Sequence, residues 1–385
     1  MAYAAMQLIL WVPWAHSEGR QIIQALYIPL ADHYAALVAY EKYRDRMVWA
    51  DFRIEKMRSW PQLRGRFREG EADLAFIVSP MAMDMFREQA DFRWVSLMHR
   101  DGNALAVNEQ LLGGASIPEN KRERRPDDTA ARLFVRARQQ LGHASVTGVP
   151  SLLATHVVVL YKYLRDHNMT LGLGKDKGTR DVMAIEVPPA QSVDFLLRED
   201  RRGTPASFEQ SLPWADVVES MQAGRVVWYS KDVLNWPNGH VECIAIARDQ
   251  TIRDKPAALH EVIHFIHLAA REIERARLAG GQEMDEMVRM IRTHVPQHNA
   301  EAIVQSLRTD LNVINYTHLD VDKPGLQQIM DLAVDAGILK RPVDLDAFTD
   351  ARFRTGISSR SDRDAGNLDM LRTRIEKLWS GRIHP

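Results

Sequence analysis

One short stretch of the sequence has the residue types and spacing of a zinc hydrolase site. His260, Glu261 and His264 fit the pattern H-E-x-x-H in the segment HEVIH. On a helix the two histidines would share one face and could bind zinc, with the glutamate as general base. A match to three fixed positions carries a real risk of arising by chance, and the apolar residues around them predict core packing. A zinc hydrolase is therefore the minor alternative.

A second candidate lies where an apolar strand gives way to a helix. Asp32 and His33 directly precede the helix predicted from Tyr34 to Arg46. A strand end that meets a helix start is a common ligand position in open α/β sheets, and first-turn N–H groups can bind an anion. Asp32 can equally cap that helix, and a capping carboxylate competes with an anionic ligand. We therefore expect either other donors nearby or a ligand that carries its own hydrogen-bond donors.

The same strand–loop–helix module recurs further along the chain, from Val146 to Arg165. Ser151 is predicted to cap its helix, with Thr155 and His156 one turn in. Ser79, at the end of another strand, can offer a hydroxyl group to a ligand. Each of these residues also has a structural interpretation: His156 as a helical histidine, and Ser79 as the start of the next helix.

Composition narrows the function classes. The 385 residues contain 50 Lys+Arg and 51 Asp+Glu, so the net charge of −1 gives no overall bias toward nucleic acid or acidic lipid. The chain is long enough for two lobes. Cys243 is the only cysteine, which excludes an internal disulfide and a zinc or iron–sulfur site built from several cysteines. We expect no cofactor, no resident metal and no nucleic-acid partner.

The elements that must position these residues follow a repeating order. Short apolar strands alternate with helices as far as residue 250, which predicts an α/β fold with a mainly parallel sheet. Pro256 is predicted to open a long amphipathic helix that reaches about Leu278. The tail from 354 to 385 is polar at first and then predicted helical. The apolar sequence of residues 1–17 is typical of an export signal, although it lacks the usual basic start. If these residues are not a signal, a cytoplasmic location is expected.

Taken in order, several segments resemble one family. They are YIPLADHYAALVAYEK, SWPQLRGRFREGEADLAFIVSPM, GVPSLLATHVVVLYKYL, EVPPAQSVDFL, WPNGHVECIAIARD and GLQQIMDLAVDAGILKRPVDLDAFTDARF. The chain resembles the periplasmic substrate-binding proteins of ABC importers for nitrate, bicarbonate, sulfonates and thiamine-precursor pyrimidines. The resemblance implies a two-lobed type II periplasmic-binding-protein fold with a ligand cleft between the lobes and a helical C-terminal extension. Lobe one would comprise residues 18–107 plus 240–353, and lobe two residues 108–239.

The resemblance also implies a function and two further site residues. Trp60 stands at the family's SW position, and Trp214 where the lobe-two chain returns to the cleft. Each tryptophan is either a packing residue or an indole N–H donor. The implied function is non-catalytic capture of a small anion or small organic solute by a periplasmic monomer, for ABC permease subunits in the membrane. A ligand sensor or a thiamine-precursor-type biosynthetic enzyme on the same fold is the alternative.

Overall fold

The computed structural model describes residues 19–174, 179–357 and 366–379, so the signal-like segment 1–17 lies outside the described residues. Strands β1 to β13 are Gln21–Tyr27, Ala50–Lys56, Leu74–Val78, Phe92–Leu97, Arg100–Asp101, Asn103–Val107, Ser145–Val149, Leu171–Leu173, Val182–Glu186, Ala206–Ser211, Arg225–Tyr229, Cys243–Arg248 and Ile314–Asn315. Helices α1 to α16 are Tyr34–Tyr43, Trp60–Arg68, Ser79–Glu88, Glu109–Leu112, Thr129–Leu141, Thr155–Asp166, Ser192–Arg201, Trp214–Ser220, Ser230–Val233, Asp249–Asp254, Pro256–Ala279, Gly281–His294, Ala300–Ser306, Lys323–Asp335, Leu345–Phe348 and Leu368–Trp379.

Two separate sheets define two lobes. The lobe-one sheet has the order β2-β1-β3-β12-β4, and the lobe-two sheet has the order β11-β6-β10-β7-β9-β8. The chain leaves lobe one through residues 98–102 and returns through residues 234–242, which we name the outward and return crossings. Strand β6, within the range predicted for lobe one, pairs with β10 and β11 of the second sheet.

The sheets are mixed rather than uniformly parallel, for a topological reason. Strand β1 runs parallel to β2 and β3, as the alternating strands and helices predict. Strand β12 runs antiparallel to β3 and β4, because it carries the chain back from lobe two. Likewise β6, which receives the outward crossing, is antiparallel to β10 and β11. The antiparallel strands are therefore those next to the crossings.

The two crossings are tied to one another. The Asp101 backbone N–H donates to the carbonyl of His240 at 3.1 Å, and the His240 N–H donates to Asp101 Oδ1 at 2.8 Å. Gly239 has φ +78°, and a Cβ at this position would lie 2.2 Å from Asp101 Oδ2. Glycine is thus required here both for the backbone angle and for the close approach of Asp101.

Lobe one is completed by helices from the C-terminal part of the chain. The long helix predicted from Pro256 is α11, and it packs against α1 and the tail helix α16. Trp379 anchors α16, with its ring 5.3 Å from that of Phe353 and 6.4 Å from that of His260. Among the described residues, none of the helices has the length and apolar character needed to cross a bilayer.

Candidate functional site

Polar side chains from both lobes and both crossings meet between the two sheets. We name this group the cleft cluster, and each member is at most 3% exposed: Asp32, His33, Ser79, His99, Asp101, Asn103, Thr155, His156, Glu209, Ser211, Ser230, His240, Glu242 and Cys243. Buried polar groups on this scale are costly to leave unpaired, so their arrangement indicates a binding function.

Contacts across the cleft show that the lobes are closed on one another. Ser211 of lobe two donates to Asp32 Oδ2 of lobe one at 3.1 Å. The hydroxyl groups of Ser79 and Thr155 are 3.4 Å apart. The backbone N–H of Ala31 also donates to the carbonyl of Leu212 at 2.9 Å. The structure therefore brings predicted residues from both strand–helix junctions to one place.

Asp32 does not cap the helix that follows it, so that part of the sequence interpretation was wrong. Residues Ala31–His33 form a 3-10 turn, and α1 begins at Tyr34 without a side-chain cap. The Asp32 carboxylate points to Ser211 instead, and its Oδ2 lies 3.6 Å from Nε2 of His99. Burial opposes its ionised form, but the neighbouring His99 lowers the pKa of Asp32 overall.

Ser151 does not cap its helix either, because α6 begins four residues later, at Thr155. The Ser151 hydroxyl donates to Glu186 at 3.0 Å and accepts from the backbone N–H of Leu153. His156, one residue into α6, has Nε2 2.9 Å from the hydroxyl of Ser211. Thr155 and His156 therefore lie in the cleft cluster, whereas Ser151 forms part of the loop beside it.

The two predicted tryptophans occupy different positions. Trp60 is fully buried, and its ring meets that of His33 edge-on at 6.0 Å. Trp214 begins α8 and meets His298 edge-on at 5.2 Å. Neither indole N–H has a hydrogen-bond partner among the described residues. Trp60 thus packs directly behind the cluster residue His33.

The sequence interpretation missed the site residues carried by the crossings, by β10 and by the elements next to the crossings. They are His99, Asp101, Asn103, Glu209, Ser211, Ser230, His240, Glu242 and Cys243. A signal exists in the sequence, since polar residues interrupt otherwise apolar strands in LMHRDGN, SFEQS and NGHVEC. Such residues inside a predicted strand core need a partner or a ligand.

Two glutamates give the cluster its electrostatic character. Among the described residues, neither carboxylate oxygen of Glu209 has a hydrogen-bond partner, and Glu242 Oε1 has none. Burial raises the pKa of Glu209 well above its usual range, and Glu242 and Asp32 raise it further. Burial, followed by Asp32, does the same for the pKa of Glu242. Burial therefore opposes the ionised form of both glutamates unless a ligand pairs with them.

Three histidines of the cluster, His33, His156 and His240, do not supply the missing positive charge. Burial lowers the pKa of His33 to about 4, and that of His156 and His240 to about 3. His156 Nδ1 lies 3.4 Å from Glu242 Oε1, but its ring is neutral at physiological pH. Asn103 donates to Glu242 Oε2 at 3.0 Å. The cluster therefore keeps acceptors that a ligand's hydrogen-bond donors or positive charge would satisfy.

The H-E-x-x-H segment has a structural role. Glu261 accepts hydrogen bonds from the backbone N–H groups of Val48, Trp49 and Ala50, at 2.8, 2.8 and 2.9 Å. His260 and His264 do not belong to a cluster of potential metal ligands among the described residues. The carboxylate needed as general base is thus occupied in holding the start of β2.

Solved structures with the same architecture define the class of protein. A ligand-binding component of an ABC-type import system from Staphylococcus aureus, with zinc bound, matches with a TM-score of 0.65 and 17% identity over 87% of this chain and 98% of its own. The periplasmic nitrate-binding protein NrtA from Synechocystis PCC 6803 matches with 0.66 and 16%, over 93% and 89%. The alkanesulfonate-binding protein SsuA from Xanthomonas axonopodis pv. citri, bound to MOPS, matches with 0.62 and 11%, over 86% and 99%. The chain has the two-lobed fold of the periplasmic binding proteins.

A family assignment follows from the sequence. The profile of the NMT1-like family matches residues 22–289, and the chain belongs to that family. No curated protein matches the chain. The predicted fold and the resemblance to binding proteins of ABC importers are confirmed.

Proposed function

We propose that the protein captures a small polar organic solute between its lobes and delivers it to the permease subunits of an ABC importer, without catalysis. The fold and the import-system proteins that share it support this role. The solute would carry hydrogen-bond donors or a positive charge, as an aminopyrimidine or an amine does. Nitrate, bicarbonate and sulfonates, the other expected ligands, offer acceptors only or mainly.

The observation that carries the proposal is the pair of buried glutamates with unpartnered oxygens, Glu209 and Glu242. Each hydrogen bond that a solute donates to an ionised carboxylate contributes about 1.5–3 kcal/mol. A buried carboxylate left unpaired would instead cost free energy. An anion in the same place would lack the hydrogen-bond donors that an ionised glutamate needs, and it would be repelled by Asp32, whose pKa is lowered, which disfavours nitrate or a sulfonate.

Some of the remaining predicted residues would contact the solute, and the others would hold or enclose the site. Asp32, Ser79, Thr155 and His156 have polar atoms in the cleft cluster and would contact the solute directly. His33 is positioned by Ile28, whose backbone carbonyl lies 2.7 Å from Nδ1. Trp60 and Trp214 would close the ends of the cleft with apolar ring surface, and Ser151 would shape its neighbouring loop. Hinge motion of the two lobes would admit and release the solute.

Isothermal titration of the full chain against a panel of solutes tests the proposal. We expect aminopyrimidines or amines to bind, and nitrate, bicarbonate and alkylsulfonates without an amino group not to bind. Glu209→Gln and Glu242→Gln should each weaken binding by about tenfold or more, because each loses at least about 1.4 kcal/mol. The exposed Glu69→Gln variant is the matched control and should bind as wild type does. Tight binding of an acceptor-only anion that both variants retain would contradict the proposal.

Cellular location and assembly are part of the same proposal. We expect the protein to be exported to the periplasm and to act there as a monomer. Mass spectrometry of the N-terminus of protein recovered from the periplasm should show loss of the signal-like segment 1–17. Recovery in the cytoplasm with Met1 retained would favour the sensor alternative.

A further inference from the structure

A second kind of ligand is indicated by three side chains of different chemistry at the base of the cleft. Asp32, His99 and Cys243 each have one potential ligand atom within 4.8 Å of the others, and all three side chains are buried. The distance from His99 Nε2 to Asp32 Oδ2 is 3.6 Å. Ligand atoms around a tetrahedral zinc ion, 2.0–2.3 Å from the metal, lie about 3.3–3.8 Å apart.

Two of these side chains have unused polar atoms. Among the described residues, His99 Nδ1 has no hydrogen-bond partner and Nε2 has only the 3.6 Å contact with Asp32, although the side chain is completely buried. Oδ1 of Asp32 likewise has no partner. A fully buried imidazole without a hydrogen bond is costly, and coordination to a metal ion would remove that cost.

The three ligands sit on segments that the fold holds together. Cys243 is the first residue of β12, and its backbone carbonyl accepts from the N–H of Met98, next to His99. Asp32 lies in the 3-10 turn after β1, where Tyr316 donates to the carbonyl of the adjacent Ala31 at 2.7 Å. The site is thus built from three backbone segments, each fixed by hydrogen bonds.

We propose that Asp32, His99 and Cys243 form a binding site for a divalent ion of the zinc class. One thiolate, one imidazole and one carboxylate are ligands that zinc and Co²⁺ prefer, whereas Ca²⁺ and Mg²⁺ require mainly oxygen. On binding, the Cys243 thiol forms the sulfur–metal bond and releases its proton to solvent. The two negative ligands then balance the charge of the ion, as a buried site requires.

Three protein ligands leave a fourth coordination position for water or for the captured solute. His33 Nε2 lies 3.2 Å from Cys243 Sγ and would hold the thiol side chain toward the ion. The sequence pattern gave no sign of the site, because its ligands are 67 or more positions apart. This inference does not depend on which organic solute the cleft binds.

The test is titration of the chelator-treated full chain with Co²⁺. We expect one equivalent to bind and to produce the near-ultraviolet sulfur-to-cobalt charge-transfer absorption that reports thiolate ligation. Cys243→Ser should abolish that absorption. His99→Gln and Asp32→Asn should each weaken Co²⁺ binding by about 100-fold or more, since even indirect partners of a metal ligand contribute 10–100-fold.

His143→Gln, a substitution on the exposed surface, is the matched control and should leave Co²⁺ binding unchanged. Failure of the wild-type chain to bind Co²⁺, or the same affinity in Cys243→Ser, would overturn the inference. Calorimetry with organic solutes on chelator-treated protein separates the two proposals. Solute binding without Co²⁺ binding removes only the metal site, and Co²⁺ binding without any solute binding removes only the solute proposal.

Discussion

At the scale of single residues, the cleft cluster contains buried polar groups that lower stability and that a binding role would explain. Glu209 lies on the central part of β10, surrounded by Asp32 and Glu242, and its carboxylate is completely buried. A residue chosen for stability at this position would be apolar or would have a fixed partner. Its presence without a partner among the described residues is therefore best explained by a ligand.

Replacing Glu209 by glutamine should stabilise the ligand-free protein. The pKa of Glu209 is raised in the folded state, so folding retains a proton that the unfolded chain releases above about pH 4.3. Wild-type stability therefore falls relative to Glu209→Gln as the pH rises above that value, by up to about 1.4 kcal/mol per pH unit. Urea unfolding at about pH 5 and about pH 8 measures the difference. A pH-independent difference would show that Glu209 is ionised in the closed cleft.

His156 should contribute the opposite pH dependence. Burial lowers its pKa to about 3, whereas an unfolded histidine binds a proton below about pH 6.5. Protonation thus favours unfolding, and stability falls as the pH drops from about 6.5 toward 3, by about 1.4 kcal/mol per unit for this residue. In His156→Asn the loss of stability toward acid pH should be smaller by that amount. Denaturant unfolding curves at several pH values measure this difference, with His143→Asn as the exposed control. Equal slopes of unfolding free energy against pH in wild type and His156→Asn would contradict the prediction.

At the scale of elements, the sequence predicted well what depends on local pattern. Helix α11 was predicted from Pro256 and its apolar periodicity, and its observed bounds are Pro256–Ala279. Asp32 and Thr155, each at a strand–helix junction, were predicted to lie in the cleft. The structure brings both residues into the cleft cluster. Whether Asp32 or Ser151 caps a helix was not predictable, because a capping role depends on the exact residue at which the helix begins.

The residues of the crossings escaped sequence analysis for a different reason. His99, His240 and Glu242 lie in strand-like segments, where a polar residue can equally face solvent. The pairing of Asp101 with His240 helps to bring the two crossings together, and this contact spans 139 positions. Long-range pairing of this kind leaves no periodic signal in one sequence.

Glu261 should stabilise the fold by holding the start of strand β2 in place. In Glu261→Gln the ionised acceptor of three backbone N–H groups is lost, and unfolding free energy should fall by about 1.5–3 kcal/mol. Solute binding should not change, since Glu261 lies outside the cleft cluster. Denaturant unfolding and calorimetry measure the two effects. Wild-type stability combined with loss of bound zinc would instead revive the H-E-x-x-H interpretation.

At the scale of the whole molecule, the ligand should favour closure of the lobes. The structure shows the closed arrangement, with Ser211 bonded to Asp32 across the cleft. Closing without a ligand buries both oxygens of Glu209 and one oxygen of Glu242 without a hydrogen-bond partner, so a ligand should shift the protein further toward the closed arrangement. Small-angle scattering should show a smaller radius of gyration once a binding solute is added. The Glu209→Gln variant should be more compact than wild type before any addition; identical profiles for both proteins with and without solute would contradict the expectation.

The position of the crossings has a consequence for unloading. Asp101 and His240 belong to the segments about which the lobes must turn, and both also belong to the cleft cluster. A membrane partner that twisted one lobe would therefore alter the spacing of these ligand-facing groups at once. Cargo could then be expelled by torque applied to the outer surface, without any group from the transporter reaching inside.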